Sequence, residues 1–193
     1  MRTVTPFLVA LVLLSACAMP RQLDNDVSTY SQWPIERKPA SYAFERLPSQ
    51  QARAEQQQQL EDAARQAVEA AGFTAAADEG SADVSVQVGA RVSAAERPLY
   101  DDPFWWRGGF SSRWHRGYSS SIGIYYTTPT YEREVALLIR DRKSGQALYE
   151  ARASNAGGSA ADASILSAMF EAAMKDFPHT GVNPRRVTVE LNR

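Results

Sequence analysis

The sequence is poor in the residues that most often carry chemistry. Its 193 residues include one cysteine and two histidines. A single cysteine cannot close an internal disulfide, and so few Cys and His side chains cannot assemble a metal cage. Neither sign of charge is in excess, with 21 Lys plus Arg against 22 Asp plus Glu. Proteins that hold nucleic acid through counterion release need a basic surplus, so no nucleic-acid partner is expected. At 44% hydrophobic and 22% charged residues the composition is that of one ordinary globular domain with extensions, not a repeat array or coiled coil.

Phe7 to Leu14 is an uninterrupted apolar run, preceded by the single cation Arg2. It is far shorter than the roughly 20 residues that cross a bilayer as a helix, and reads as the core of a signal peptide over residues 1–16. The next residues, Leu14-Ser15-Ala16-Cys17, resemble the lipobox of bacterial lipoproteins. That resemblance implies that Cys17 becomes the first mature residue and takes a diacylglycerol on its sulfur and an acyl chain on its amino group. One acyl chain anchors a protein only marginally, whereas two or three hold it stably. An ordinary secreted protein with Cys17 near its cleavage site is the plain alternative. Ala18, where enterobacterial inner-membrane retention uses Asp, points to the periplasmic face of the outer membrane.

Residues 17–40 are polar, punctuated by Pro20, Pro34 and Pro39, and without a sustained period, as in a lipidated tether. Asp26 to Tyr30 could add a short edge strand. A single folded domain is expected over 41–193. Tyr42 and Phe44 alternate with Ala43 and Glu45 as one short strand with one apolar face. Leu60, Ala63, Ala64, Ala67, Val68 and Ala71 form one helical stripe within 50–71, ended by Gly72, and Gln56 to Gln59 are expected on its solvated side. Val84, Val86, Val88, Ala90 and Val92 keep a period of two, as do Val135, Leu137 and Ile139. Gly145 turns that second strand into Ala147 to Ala153. A second helix places Ile165, Leu166, Met169, Phe170, Ala173 and Phe177 inward, is capped by Ser159 or Asp162, and stops at Pro178. Val187, Val189 and Leu191 form a last strand. The expected architecture is an α+β two-layer sandwich: a mixed or mostly antiparallel sheet of about five strands with two helices on one face.

One stretch, 100–126, fits no period. It carries Tyr100, Phe104, Trp105, Trp106, Phe110, Trp114, Tyr118, Tyr125 and Tyr126 together with Arg107, Arg113 and Arg116. A loop this long in a compact domain is functional or disordered, and disordered chain is usually poor in aromatics. Trp, Tyr and Arg are the residues that binding surfaces enrich. The contact candidates are Trp105, Trp106, Arg107, Phe110, Arg113, Trp114, Arg116 and Tyr118, facing an envelope protein, peptidoglycan or lipopolysaccharide. Two other readings remain open: Trp105 and Trp106 resting at headgroup depth, or the loop folding back to cover the sheet.

Catalytic signals are weak. His115 lies among Ser111, Ser112, Ser119, Ser120 and Ser121, yet no Gly-x-Ser-x-Gly elbow exists to hold a nucleophile. His179 follows a helix end, where a cation suits the dipole. Asp101 and Asp102 lack the spacing of a calcium loop. Gly157-Gly158-Ser159 could open a helix and offer N–H groups to an anion, but has no Walker spacing. No cofactor and no metal are expected.

The residues also resemble a family of bacterial envelope lipoproteins known only as a domain of unknown function, number four-one-three-six. The resemblance rests on Ala40-Ser41-Tyr42-Ala43-Phe44, Gly72-Phe73, Ala82-Asp83-Val84, Ile139-Arg140-Asp141, Ser144-Gly145, Leu148-Tyr149-Glu150 and Phe177-Pro178. It spans about residues 26 to 191, although many members carry Trp where Tyr149 stands. It implies a fold and an envelope location, and no catalytic or binding residues. The expected function is a noncatalytic binding or accessory role at the outer membrane. The alternatives are an envelope hydrolase or transferase working at the aromatic stretch, and an accessory to an outer-membrane assembly.

Overall fold

The computed structural model describes residues 21–95 and 129–191. In chain order these form β1 (Gln22–Ser31), β2 (Ser41–Phe44), α1 (Pro48–Gln51), α2 (Ala54–Ala70), β3 (Thr74–Ala75), β4 (Val84–Ala95), β5 (Thr130–Asp141), β6 (Ala147–Gly157), α3 (Ala163–Met174) and β7 (Arg185–Glu190). All strands join one sheet in the order β3-β2-β4-β5-β6-β1-β7. The β2–β3 and β2–β4 pairs are parallel, and every other pair is antiparallel. The α+β class and mixed sheet agree with the expectation from sequence. The strand count does not, because the sheet has seven strands where about five were expected.

The largest addition is β1, which lies between β6 and β7. Residues 22–31 therefore belong to the sheet and not to a tether, and Asp26 to Tyr30 sit on an interior strand, not an edge. The alternation was present but weak, since two of its inward positions are Asn25 and Thr29, both buried. The second addition is the two-residue β3, too short to show a period.

One face of the sheet is apolar and covered by α2 and α3, which pack against each other. Across that face Val86 lies beside Ile139 and Ile139 beside Tyr149; one step along, Val88, Leu137 and Ala151 line up. Ala64 and Val68 of α2 and Ile165, Met169, Phe170 and Ala173 of α3 close over them, all fully or nearly fully buried. Burial of this kind stabilises by about 25 cal/mol per Å² of apolar surface removed from water. Ala90 and Val92, expected on the same buried face, are exposed, although Val135 and Arg133 opposite them on β5 are buried.

The helices end as their sequences direct. Past α2, Gly72 at φ 98° turns the chain, with its N–H on Glu69 O (2.9 Å) and the Phe73 N–H on Val68 O (3.4 Å), a paired C-terminal cap. Between 50 and 71 there are two helices, α1 and α2, with Ala52 and Arg53 between them. Asp162 caps α3 by accepting the Ile165 N–H at 2.9 Å. α3 stops at Met174, so Phe177 lies beyond the helix, where its ring meets Trp33, Phe73 and Tyr149 with centroids 5.0 to 5.3 Å apart. Gln57, expected in solvent, is buried and donates to Glu61 at 3.2 Å.

Candidate functional site

Cys17 and the contact candidates Trp105, Trp106, Arg107, Phe110, Arg113, Trp114, Arg116 and Tyr118 lie outside the described residues, as do Asp101, Asp102 and His115. What the structure does place is the frame from which both segments depart. Ala95, the last residue of β4, is directly opposite Thr130, the first of β5. The long insertion thus leaves and re-enters the sheet at neighbouring positions.

Beneath that exit stands Arg133, on the inward face of β5 in step with Val135, Leu137 and Ile139, and almost fully buried. An inward arginine among aliphatics needs partners, since a buried unpaired cation is costly. Its Nε and Nη2 donate to the Ser159 carbonyl at 3.1 and 2.8 Å, and its Nη1 donates to Asn155 Oδ1 at 2.9 Å. Asn155 in turn donates to the Asp24 carbonyl at 2.5 Å. Burial lowers the guanidinium pKa from its usual value, against the Asp162 carboxylate nearby, which raises it. This row ties β5, β6, β1 and the β6–α3 connection together below the insertion. The next inward position on β1 is Asn25, whose Oδ1 is buried without a partner among the described residues. Gly157-Gly158-Ser159 does not open a helix: Gly157 ends β6 and the start of α3 is already occupied by Asp162. The anion-site reading of that stretch is therefore overturned. The clue to Arg133 was legible in sequence as one charged residue in the inward register of an apolar strand.

A groove of about 980 Å³ runs along α2 and α3, from Trp33 and Phe177 to Ala163 and Glu190. Trp33 lies along it, with its Nε1–H on Arg37 O at 2.7 Å and the Arg37 guanidinium 5.3 Å from its ring centroid. Arg37 also pairs with Asp141 at 2.7 Å. Trp33 was missed from sequence because it falls in the proline-punctuated stretch after β1. A second, more polar cleft of about 1210 Å³ borders β2, where Arg46 makes a bidentate pair with the buried Glu61, Nε and Nη2 each 2.6 Å from an oxygen. Arg65 lies over the Phe44 ring at 5.6 Å. Arg46, Glu61, Arg65 and Asp141 along this cleft already have partners, and none of them is a nucleophile with a base beside it.

Among the described residues no three His, Cys, Asp or Glu side chains come together to hold a metal ion. No helix among them is long and apolar enough to cross a membrane. His179 is exposed, and its backbone N–H closes a turn onto Asp176 O at 2.7 Å.

A helix pair on one face of an open, largely antiparallel sheet, with a long aromatic insertion between two central strands, defines a class of small α+β domain. Within that class the chain belongs to DUF4136, a domain of unknown function, whose family model matches residues 26–179. The match covers most of the region on which the sequence resemblance rested. A PDZ domain protein from Parabacteroides distasonis is similar in fold, with a TM-score of 0.53 at 13% identity over 94% of this chain and 42% of that one. The chain thus spans less than half of that protein's length. A DUF4136 family protein from Bacteroides thetaiotaomicron shows 19% identity over 78% of this chain and 94% of its own, at a TM-score of 0.29. The PelC dodecamer from Paraburkholderia phytofirmans shows 11% identity over 78% and 95%, at a TM-score of 0.38. Both of these TM-scores are too low to bear on the fold. No curated protein matches the chain.

Proposed function

We propose that this protein is a lipoprotein of the outer membrane, held at the periplasmic face through acylated Cys17, whose domain serves a noncatalytic binding or accessory role in the envelope. The observation that carries the reading is Leu14-Ser15-Ala16-Cys17 directly after an eight-residue apolar run. The sole cysteine of the chain is the one atom source for a thioether anchor. The binding role is supported by the aromatic and arginine-rich stretch from Tyr100 to Tyr126, whose partner is an envelope protein, peptidoglycan or lipopolysaccharide. Its two ends are held at adjacent positions by the Ala95 and Thr130 pair. A domain that fixes both ends of such a stretch on a rigid sheet lowers the entropy lost when the stretch meets a partner.

Metabolic labelling with an alkynyl fatty acid tests the anchor. The wild-type chain is expected to take the label and to sediment with outer membranes. Cys17→Ser is expected to lose the label and to appear in the soluble periplasm or to remain unprocessed. A labelled Cys17→Ser chain refutes the proposal.

A further inference from the structure

The sheet has two distinct ends. At one, Gln22 of β1 is opposite Glu190 of β7, Tyr131 of β5 is opposite both Gly157 of β6 and Ala94 of β4, and Ala95 is opposite Thr130. Thus β1 enters the sheet here, β4, β6 and β7 finish here, and β5 starts here. At the other end Ser31 is opposite Tyr149, and the turn at Gly145 joins β5 to β6. The insertion between β4 and β5 departs from the first end, and so does the chain leading back to Cys17.

The length of that leading chain decides the geometry. Only residues 18–21 separate Cys17 from Gln22, the first residue of β1. Fully extended, five residue steps reach about 18 Å. A tether through residue 40 would have let the domain rotate freely above the lipid, but β1 removes that slack. The Gly145 end lies a strand length farther away, about 33 Å for the ten residues of β1.

Resting on the proposed acylation of Cys17, we infer that the end of the sheet marked by Gln22, Ala95, Thr130, Gly157 and Glu190 faces the bilayer that holds the acyl chains, with the Gly145 turn and Trp33 pointing away. The occupant of this surface is lipid, not a second protein.

Thiol labelling tests the orientation, because an acylated Cys17 leaves the chain without a free thiol. Full-length chains bearing Thr130→Cys or Ser159→Cys at the first end, and Ile35→Cys or Gln146→Cys at the other, are purified from membranes. They are labelled with an environment-sensitive fluorophore and placed in phosphatidylcholine vesicles doped with a headgroup-nitroxide phosphatidylcholine. Labels at 130 and 159 are expected to lose most of their emission to the nitroxide, and labels at 35 and 146 to keep theirs. Equal quenching at both ends, or stronger quenching at 35 and 146, overturns the orientation while leaving the anchor in place. The unsubstituted chain is the second readout: if it reacts with the fluorophore, Cys17 is free, and the anchor and the orientation fall together. If the first-end labels are instead shielded from the nitroxide and crosslink to a co-purifying envelope protein, the surface is a protein interface and the inference fails.

Discussion

The guanidinium of Arg133 lies against the backbone of Gly157, so close that a Cβ on residue 157 would overlap Nη2. Glycine here leaves room for the Arg133 guanidinium, and neither a turn nor a positive φ calls for it. Gly157→Ala is expected to push Arg133 off the Ser159 carbonyl and Asn155, at about 1 to 3 kcal/mol, the range for overpacking and for stranding buried polar groups. Urea unfolding of Gly157→Ala, Arg133→Met and the double variant measures it. If the contact is as described, the double variant costs less than the sum of the two singles.

Phe170 is fully buried on α3. Truncating it to alanine is expected to cost about 3 to 5 kcal/mol, as for other core aromatics. An unchanged urea midpoint for Phe170→Ala would mean that α3 does not pack on the sheet through this face.

The strand β1 makes a prediction that a tether would not. Thr29 accepts from the Gly181 N–H at 2.7 Å, and its own N–H and C=O are held by Asn183 at 2.8 and 2.7 Å. Removing residues up to Ser31 breaks these bonds and both of β1's ladders, leaving β6 and β7 without a common neighbour. A chain beginning at residue 32 is expected to show no cooperative thermal transition by circular dichroism, whereas one beginning at residue 21 is expected to unfold cooperatively.

Carboxylates that receive N–H groups give the fold an acid-side dependence. Asp162 is held below the usual carboxylate range mainly by the Ile165 backbone N–H and then by Ser164, and Asp141 by the Ser144 N–H and then Arg37. A pKa depressed in the folded state contributes stability that is fully present above the unfolded value near 3.9, and that is lost as pH falls from there through the folded value. Asp162→Ala is expected to cost about 1 kcal/mol at pH 7, the usual worth of an N-cap. The gap between Asp162→Ala and the parent should narrow below about pH 4 as the parent's cap protonates. Urea midpoints measured between neutral pH and pH 3 test this, and a gap constant across that range would assign the loss to something other than the ionised cap.

Replacing residues 101–126 with a short Gly/Ser linker is expected to leave the cooperative transition close to that of the parent. The Ala95 and Thr130 pair already brings the ends together, and each halving of loop length changes closure entropy by only about 0.6 kcal/mol. Collapse of the transition, or insoluble protein, would place the rings from Phe104 to Trp114 in the core.

Local pattern alone was enough to identify the two long helices, the β5–β6 hairpin with Gly145 at φ 72°, and the strands β2, β4 and β7. Each has its own apolar period and its own terminator, so the information is contained within a dozen residues. The lipobox-like run ending at Cys17 is local in the same sense. Tertiary structure decided the rest. Whether residues 22–31 are tether or strand depends on β6, on β7 and on the segment leading into β7, more than a hundred residues away, where Val187 accepts from the buried Asn25 and Gly181 and Asn183 bond the buried Thr29. That Arg133 points inward is written in the period of β5, but what neutralises its burial is the Ser159 carbonyl and Asn155, brought over by the next strand and its connection. The shared departure of the anchor segment and the aromatic insertion from one end of the sheet is likewise invisible in the chain, where they are some eighty residues apart, because only antiparallel register sets one strand's beginning beside another's end.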